Sequence, residues 1–226
     1  PQYDPSRPAR EDMNHAPPFP FRPEIDVGPP PLSAEACATL EARAAPEERG
    51  EAEIAGSIDV LRTEGLMQLD GAGAPLRTAR ALMQIGAVNL SVGRLWEGHV
   101  NALRLMRLYG NADQRREVER LIDTGALLGV WGADGPDPLR RDGDTLTGAK
   151  IFASGLGTVS HALVTVDSGP EVQLALMETT DDARADASGW DMPGMRATAS
   201  GRYDFGGLPL DPAAKIGGPG DYLAEP

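Results

Sequence analysis

One cysteine, three histidines and few aromatics set the first limits on this 226-residue chain. A single thiol, Cys37, makes an intramolecular disulfide impossible, which fits a reducing compartment. Its Ala-rich surroundings, Leu32 to Cys37, suit a small half-buried helix residue. His99 has Leu103 four residues on, and His15 and His161 are isolated, so no metal site is expected. Aromatics make up 5%, and 34 acidic residues against 21 basic ones give a net charge of −13. Such a chain repels phosphate backbones and offers little to stack on bases, so no nucleic-acid partner is expected. No apolar run approaches the about 18 residues of a membrane span. The first thirty residues also lack the basic-then-apolar layout of a signal peptide. The chain is read as soluble and cytoplasmic, with no membrane partner.

Proline is concentrated at one end. Residues 1–31 hold half of all the prolines and are expected to form an extended arm, with Phe19, Phe21, Ile25 and Val27 as docking points. Residues 32–126 then read as a helical domain. Ser33 can cap a helix to about Ala44, with Pro46 as its stop and the acidic segment Glu47 to Glu53 as a solvated face or helix start. Ile54, Ile58 and Leu61 form the stripe of a second helix. Gly71 to Pro75 is a turn. It follows no strand and leads to no Lys-Ser/Thr, so it is not a phosphate loop. Leu76, Ala79, Leu82 and Met83 predict the buried stripe of a third helix. Val92, Leu95, Trp96, His99, Leu103 and Met106 predict that of a long fourth, with His99 as a core or channel-lining residue. Asn111 and Gln114 make a capping-box pair for a fifth, which buries Val118, Leu121 and Ile122.

From Leu127 the pattern changes to short apolar bursts cut by Gly, Pro and Asp. Strands are predicted at 127–131, 145–147, 150–154, 161–166, 172–177 and 202–205. Arg141 to Asp144 and Asp167 to Pro170 are turns, and Ala183 to Met195 is a long loop. The fold class is therefore α+β, an all-helical domain followed by a small antiparallel β-barrel or sandwich over 127–226. Trp131 and Phe152, each beside small polar residues, suggest a flat slot for a planar ring at the seam. The plainer reading makes both of them strand core.

Four segments in order resemble the acyl-CoA dehydrogenase family. They are Leu108 to Arg115, Ile122 to Trp131, Leu146 to Gly155, and Gly194 to Gly201 followed by Phe205, Leu208 to Leu210 and Ile216-Gly217. The resemblance implies FAD held against the β domain. Trp131, Ala133 and Asp134 would stand at the strand end that meets the flavin. Phe152 would stand where the family usually has a Trp on the ring, and Ser154 where a hydroxyl and amide bond the ring near its reactive nitrogen. It further implies α,β-desaturation of an acyl-CoA thioester, electrons passed to an electron-transfer flavoprotein or similar acceptor, and a homo- or hetero-oligomer.

The sequence departs from the family pattern at two places. Asp134-Gly135-Pro136 replaces Thr/Ser-Glu-Pro, putting a carboxylate where a hydroxyl donates, and the usual Gly-Ser-Asp gives way to 137–141. The family's C-terminal bundle, with its catalytic Glu, has no counterpart in these 226 residues, so the catalytic residue is not assigned. Two alternatives therefore stand beside desaturation: a flavin-dependent monooxygenase of the same fold, and a flavin-free scaffold or partner subunit. Without a bundle, apolar surface is expected along Ile151, Phe152 and the helix carrying Trp96.

Overall fold

A computed structural model describes residues 29–167 and 169–224. The expected arm, its apolar docking points and His15 lie almost wholly outside the described residues, as does Ser168 of the second turn. Five helices precede the strands: α1 (Ala34–Glu48), α2 (Ala55–Thr63), α3 (Pro75–Val88), α4 (Leu90–Tyr109) and α5 (Ala112–Asp123). Ser33 caps α1 by accepting from the Ala36 amide. Pro46 does not stop that helix, which continues to Glu48. A proline in the last turn sacrifices only one helical bond, and the next residue is anchored elsewhere. Glu47 is buried at 3% exposure and accepts from Arg43, Ser57 and Asn89, at 3.0, 2.6 and 2.8 Å. The acidic segment is thus not uniformly solvated; its first carboxylate joins α1, α2 and the cap of α4.

The long helix α4 buries the expected face, Val92, Leu95, Trp96, His99, Leu103 and Met106. The stripe expected of α3 splits instead: Leu82 packs against the core, but its other members face outward. Leu76 and Met83 are 45% and 73% exposed, while Thr78, Ala81 and Ile85 face inward. The two helices cross closely at Gly86 and Gly93: a Cβ on Gly93 would sit 3.0 Å from the Gly86 Cα. Exposed apolar surface lies on α3, at Phe152 and at the two ends of α4, Leu90 and Leu108, while Trp96 itself is fully buried. The capping box of α5 forms as expected, and the Gln114 amide also donates to the carbonyls of Ala213 and Lys215.

Nine short strands follow: β1 (Leu128–Trp131), β2 (Arg140–Asp142), β3 (Thr145–Thr147), β4 (Ala149–Ala153), β5 (His161–Val166), β6 (Gln173–Glu178), β7 (Ala185–Asp186), β8 (Gly201–Asp204) and β9 (Lys215–Ile216). They make three open sheets, ordered β1-β5-β6-β9, β2-β3 and β4-β8-β7. The α+β class holds, but no barrel closes, and β1 pairs parallel to β5. A parallel pair needs a crossover, and 132–160 supplies it by passing through the other two sheets. Part of the expected turn, Arg141-Asp142, belongs to β2. One core runs without a break from Leu40 and Trp96 in the helices to Leu163 and Phe205 in the strands.

The helix–strand seam is pinned by His99, which is fully buried. Its Nε2 donates to the Met67 carbonyl at 2.8 Å, and its Nδ1 accepts from the Leu128 amide at 3.0 Å. A carbonyl can only accept, so the proton sits on Nε2 and the ring is neutral. Desolvation holds its pKa down at about 4. Among the described residues, no helix is long and apolar enough to cross a membrane.

Candidate functional site

Strand β4 carries the most unusual residue of the chain. Its pairing with β8 shifts register between Lys150 and Ala153, a β-bulge that lifts Phe152 out of the ladder. Phe152 has φ of 52° and leaves 64% of its surface exposed. A bulky residue in the left-handed region costs about 1–2 kcal/mol, and an exposed ring recovers little of it by burial. Strain of this kind is kept where a site needs the geometry. Phe152 lines a cavity of about 250 Å³ with Ile151, Trp190, Ser200, Gly201 and Arg202. Gly201 permits the close approach of the far wall, since a Cβ there would lie 2.1 Å from the Asp186 carbonyl.

Trp131 is buried beside β4. It is 2% exposed, packs on Tyr203 with ring centroids 5.5 Å apart, and donates from its indole to the Ser154 carbonyl at 3.1 Å. The expected slot with an aromatic on each flank does not form: Phe152 lines the cavity and Trp131 does not. Trp131 braces the strand from beneath, and Phe152 alone presents a ring outward. Burial also raises the Tyr203 pKa. Behind Ser154 runs a chain of hydroxyls: Ser154 to Ser200 at 2.9 Å, and Ser200 to Thr198 at 2.9 Å.

The neighbouring rim is the segment 132–139. The Ile151 amide donates to the Ala133 carbonyl at 3.0 Å, which lays exposed Ala133 and Asp134 alongside β4. Asp134 does not stand as a lone carboxylate. Its Oδ1 takes the Lys150 ammonium at 2.6 Å and the Leu139 amide at 3.2 Å. Lys150, whose side chain is fully buried, also donates to Thr165 Oγ1 at 2.7 Å. Burial lowers the Lys150 pKa, with Asp134 opposing. The Asp134 carboxylate thus arrives with its own counter-charge.

Ala133, Asp134, Phe152 and Ser154 come together on adjoining backbone, and Trp131 lies below them. Lys150, Thr165, Trp190, Thr198 and Ser200 escaped the sequence reading. Lys150 alternates with Ile151 as an ordinary outward strand residue would, and the other four lie far along the chain. A larger cavity, about 620 Å³ between α4 and α5, holds none of the nominated residues, and carboxylates such as Asp70 match its arginines.

No protein-family model and no curated protein matches the sequence. Solved structures do match the fold. The chain is similar to TdsC from Paenibacillus sp. A11-2, solved with FMN and indole, at a TM-score of 0.68 and 23% identity over 84% of this chain and 53% of that one. Another match is methanesulfinate monooxygenase MsuC from Pseudomonas fluorescens, at 0.64 and 17% over 82% and 53%. KijD3, solved with FMN and a dTDP-linked amino sugar, matches at 0.66 and 21% over 88% and 56%. The chain has the fold of these proteins. It spans about half the length of each.

Proposed function

We propose that this chain forms the flavin-facing portion of a flavin-dependent monooxygenase. The single observation that carries the reading is Phe152, a strained aromatic presented to solvent over a cavity at the strand where the sequence resemblance expects an isoalloxazine ring. The residues present fit such a ring. Phe152 offers an apolar face, Ser200 a hydroxyl in the cavity wall, and Ala133 and Asp134 a polar rim whose charge Lys150 balances. Trp131 acts at second hand, by fixing the Ser154 carbonyl.

When bound and reduced, a flavin supplies the electrons that let one atom of O2 enter a substrate while the other leaves as water. The chain's own part is to bind, orient and shield the ring. FMN is favoured over FAD because TdsC and KijD3 were solved with FMN. The second reading, FAD-dependent desaturation of an acyl-CoA with transfer to an electron-transfer flavoprotein, rests on the four sequence segments in register. Association into an oligomer is also proposed, from exposed Leu76 and Met83 on α3, and light scattering tests it.

The deciding experiment titrates the purified protein with FMN and FAD and follows flavin fluorescence and visible absorbance. Binding with fluorescence quenching, lost in Phe152→Ala, supports the site. A protein that takes up neither flavin is a scaffold, and both enzymatic readings fall. Isotope-labelled O2 recovered in product, against enoyl-CoA formed from acyl-CoA, then separates oxygenation from desaturation.

A further inference from the structure

The cavity at Phe152 draws its walls from all three strands of one sheet, ordered β4-β8-β7. Gly201 and Arg202 come from β8, the central strand, and Gly201 adds no side chain to the floor. Phe152 comes from β4 on one side. Asp186 and Trp190 come from β7 and the turn that leaves it on the other. Neighbouring strands lie about 4.8 Å apart, so about 10 Å separates the backbones of β4 and β7 across β8. The rings of Phe152 and Trp190 line this one cavity without touching each other. Among the described residues, ring contacts join Trp131, Tyr203 and Phe205 alone.

Trp190 is set in place before any ligand arrives. Its indole donates to the Met195 carbonyl at 2.8 Å, and its amide to the Ala187 carbonyl at 2.9 Å. The residue is nonetheless only half-buried. The charged groups of the cavity are already engaged. Asp186 accepts from the Ser188 amide at 2.9 Å and from its hydroxyl at 2.6 Å. Arg202 is paired with Asp204 at 3.0 Å and with Asp137 at 3.5 Å. What the cavity offers a ligand is therefore aromatic surface from two sides more than charge.

We propose that Trp190 and Phe152 form an aromatic clamp on the flat faces of one tricyclic ring, with Trp190 a ring-binding residue in its own right. This rests on the flavin reading above. A ring between two others touches each at about 3.5 Å, so the outer pair must stand about 7 Å apart. Side chains reaching from backbones about 10 Å apart can take that spacing. The positive φ of Phe152 then has a use, because it turns the ring out of the ladder and into the cavity that Trp190 also lines. The two hydrogen bonds on Trp190 spare the entropy of ordering a large side chain when the ring enters.

The test titrates FMN and lumiflavin, the tricycle without a phosphate, against three variants checked for folding by circular dichroism. Trp190→Ala should raise the Kd of both ligands about tenfold, and by the same factor, since the lost contact is to the ring they share. Trp190→Phe keeps a ring and should stay within about threefold of the native protein. It should still lose the long-wavelength absorbance tail of an indole stacked on oxidised flavin, because indole yields electron density more readily than a phenyl ring. Met192→Ala lies on the same segment, 53% exposed and outside the cavity, and should leave both Kd values unchanged. Four results overturn the clamp while leaving the flavin reading intact: native affinity in Trp190→Ala, a loss for FMN but not for lumiflavin, an equal loss in Met192→Ala, or the same spectrum in Trp190→Phe and the native complex. If Trp190→Ala does not fold, the absorbance tail and its loss in Trp190→Phe decide alone. Failure of the unsubstituted protein to bind either ligand overturns the flavin reading and the clamp with it.

Discussion

Phe152 carries two penalties at once, a left-handed backbone and an exposed ring. Two substitutions separate them. Phe152→Gly should raise unfolding stability by about 1 kcal/mol in urea melts, because glycine takes positive φ freely. Phe152→Ala keeps the backbone penalty and should change stability by less than about 0.5 kcal/mol, since the lost ring was mostly in water. Both should weaken FMN binding about tenfold or more in the same titration. A large loss of stability in Phe152→Ala would show the ring to be core after all. The sequence marks Trp131 and Phe152 as a pair but cannot tell which of them faces out. Alternation along 150–154 assigns faces only in an unbroken strand, and the bulge between Lys150 and Ala153 breaks it.

The elements around the site are held by two buried polar anchors, and each has its own signature. His99 joins α4, the turn at Met67 and β1 in its neutral form. Its folded pKa of about 4 lies below the ordinary 6.5. The unfolded chain therefore binds the extra proton first, and stability contributed by neutral His99 is complete above pH 6.5. It is lost as pH falls from 6.5 through 4, by about 3 kcal/mol in all. Subtracting the melts of His99→Gln from those of the native protein should isolate that slope from the carboxylates, which titrate lower in the same range. A difference that stays flat between pH 4 and 6.5 would refute the neutral pin. Lys150 anchors the other rim. Lys150→Met leaves Asp134 and Thr165 without their shared donor and should cost about 1–2 kcal/mol, since the carboxylate left behind is exposed. Amide exchange should quicken at Leu139, which donates to the same Asp134 oxygen. The helical face of α4 was legible because eleven of its twenty residues are buried along one pattern. That of α3 was not, since Leu76 and Met83 point outward while Thr78, Ala81 and Ile85 face inward beside the tight crossing at Gly86 and Gly93.

Across the whole molecule, the change from helix to strand near Leu127 is plain in sequence, yet it does not divide the core. Leu40, Trp96, Leu128 and Val164 belong to one continuous apolar cluster. Polar ties cross the same seam. Gln114 bonds the carbonyls at Ala213 and Lys215, and Glu48 accepts from the amides of Gly194 and Arg196 at 2.6 and 2.9 Å. Neither tie could be foreseen, because each joins residues about a hundred positions or more apart. Two lobes that share a core should unfold together. Helix loss by far-UV circular dichroism and exposure of core amides in α4 and β5 by hydrogen exchange should therefore report the same free energy. Glu48→Ala frees two backbone donors on the strand side and should lower both readouts by an equal amount, about 1–2 kcal/mol. If the helices outlast the strands, or the substitution moves only the strand signal, the lobes are independent. The cavity at Phe152 would then sit on a sheet lobe with no helical support, and the ring-binding face would lose the rigid backing that its strain requires.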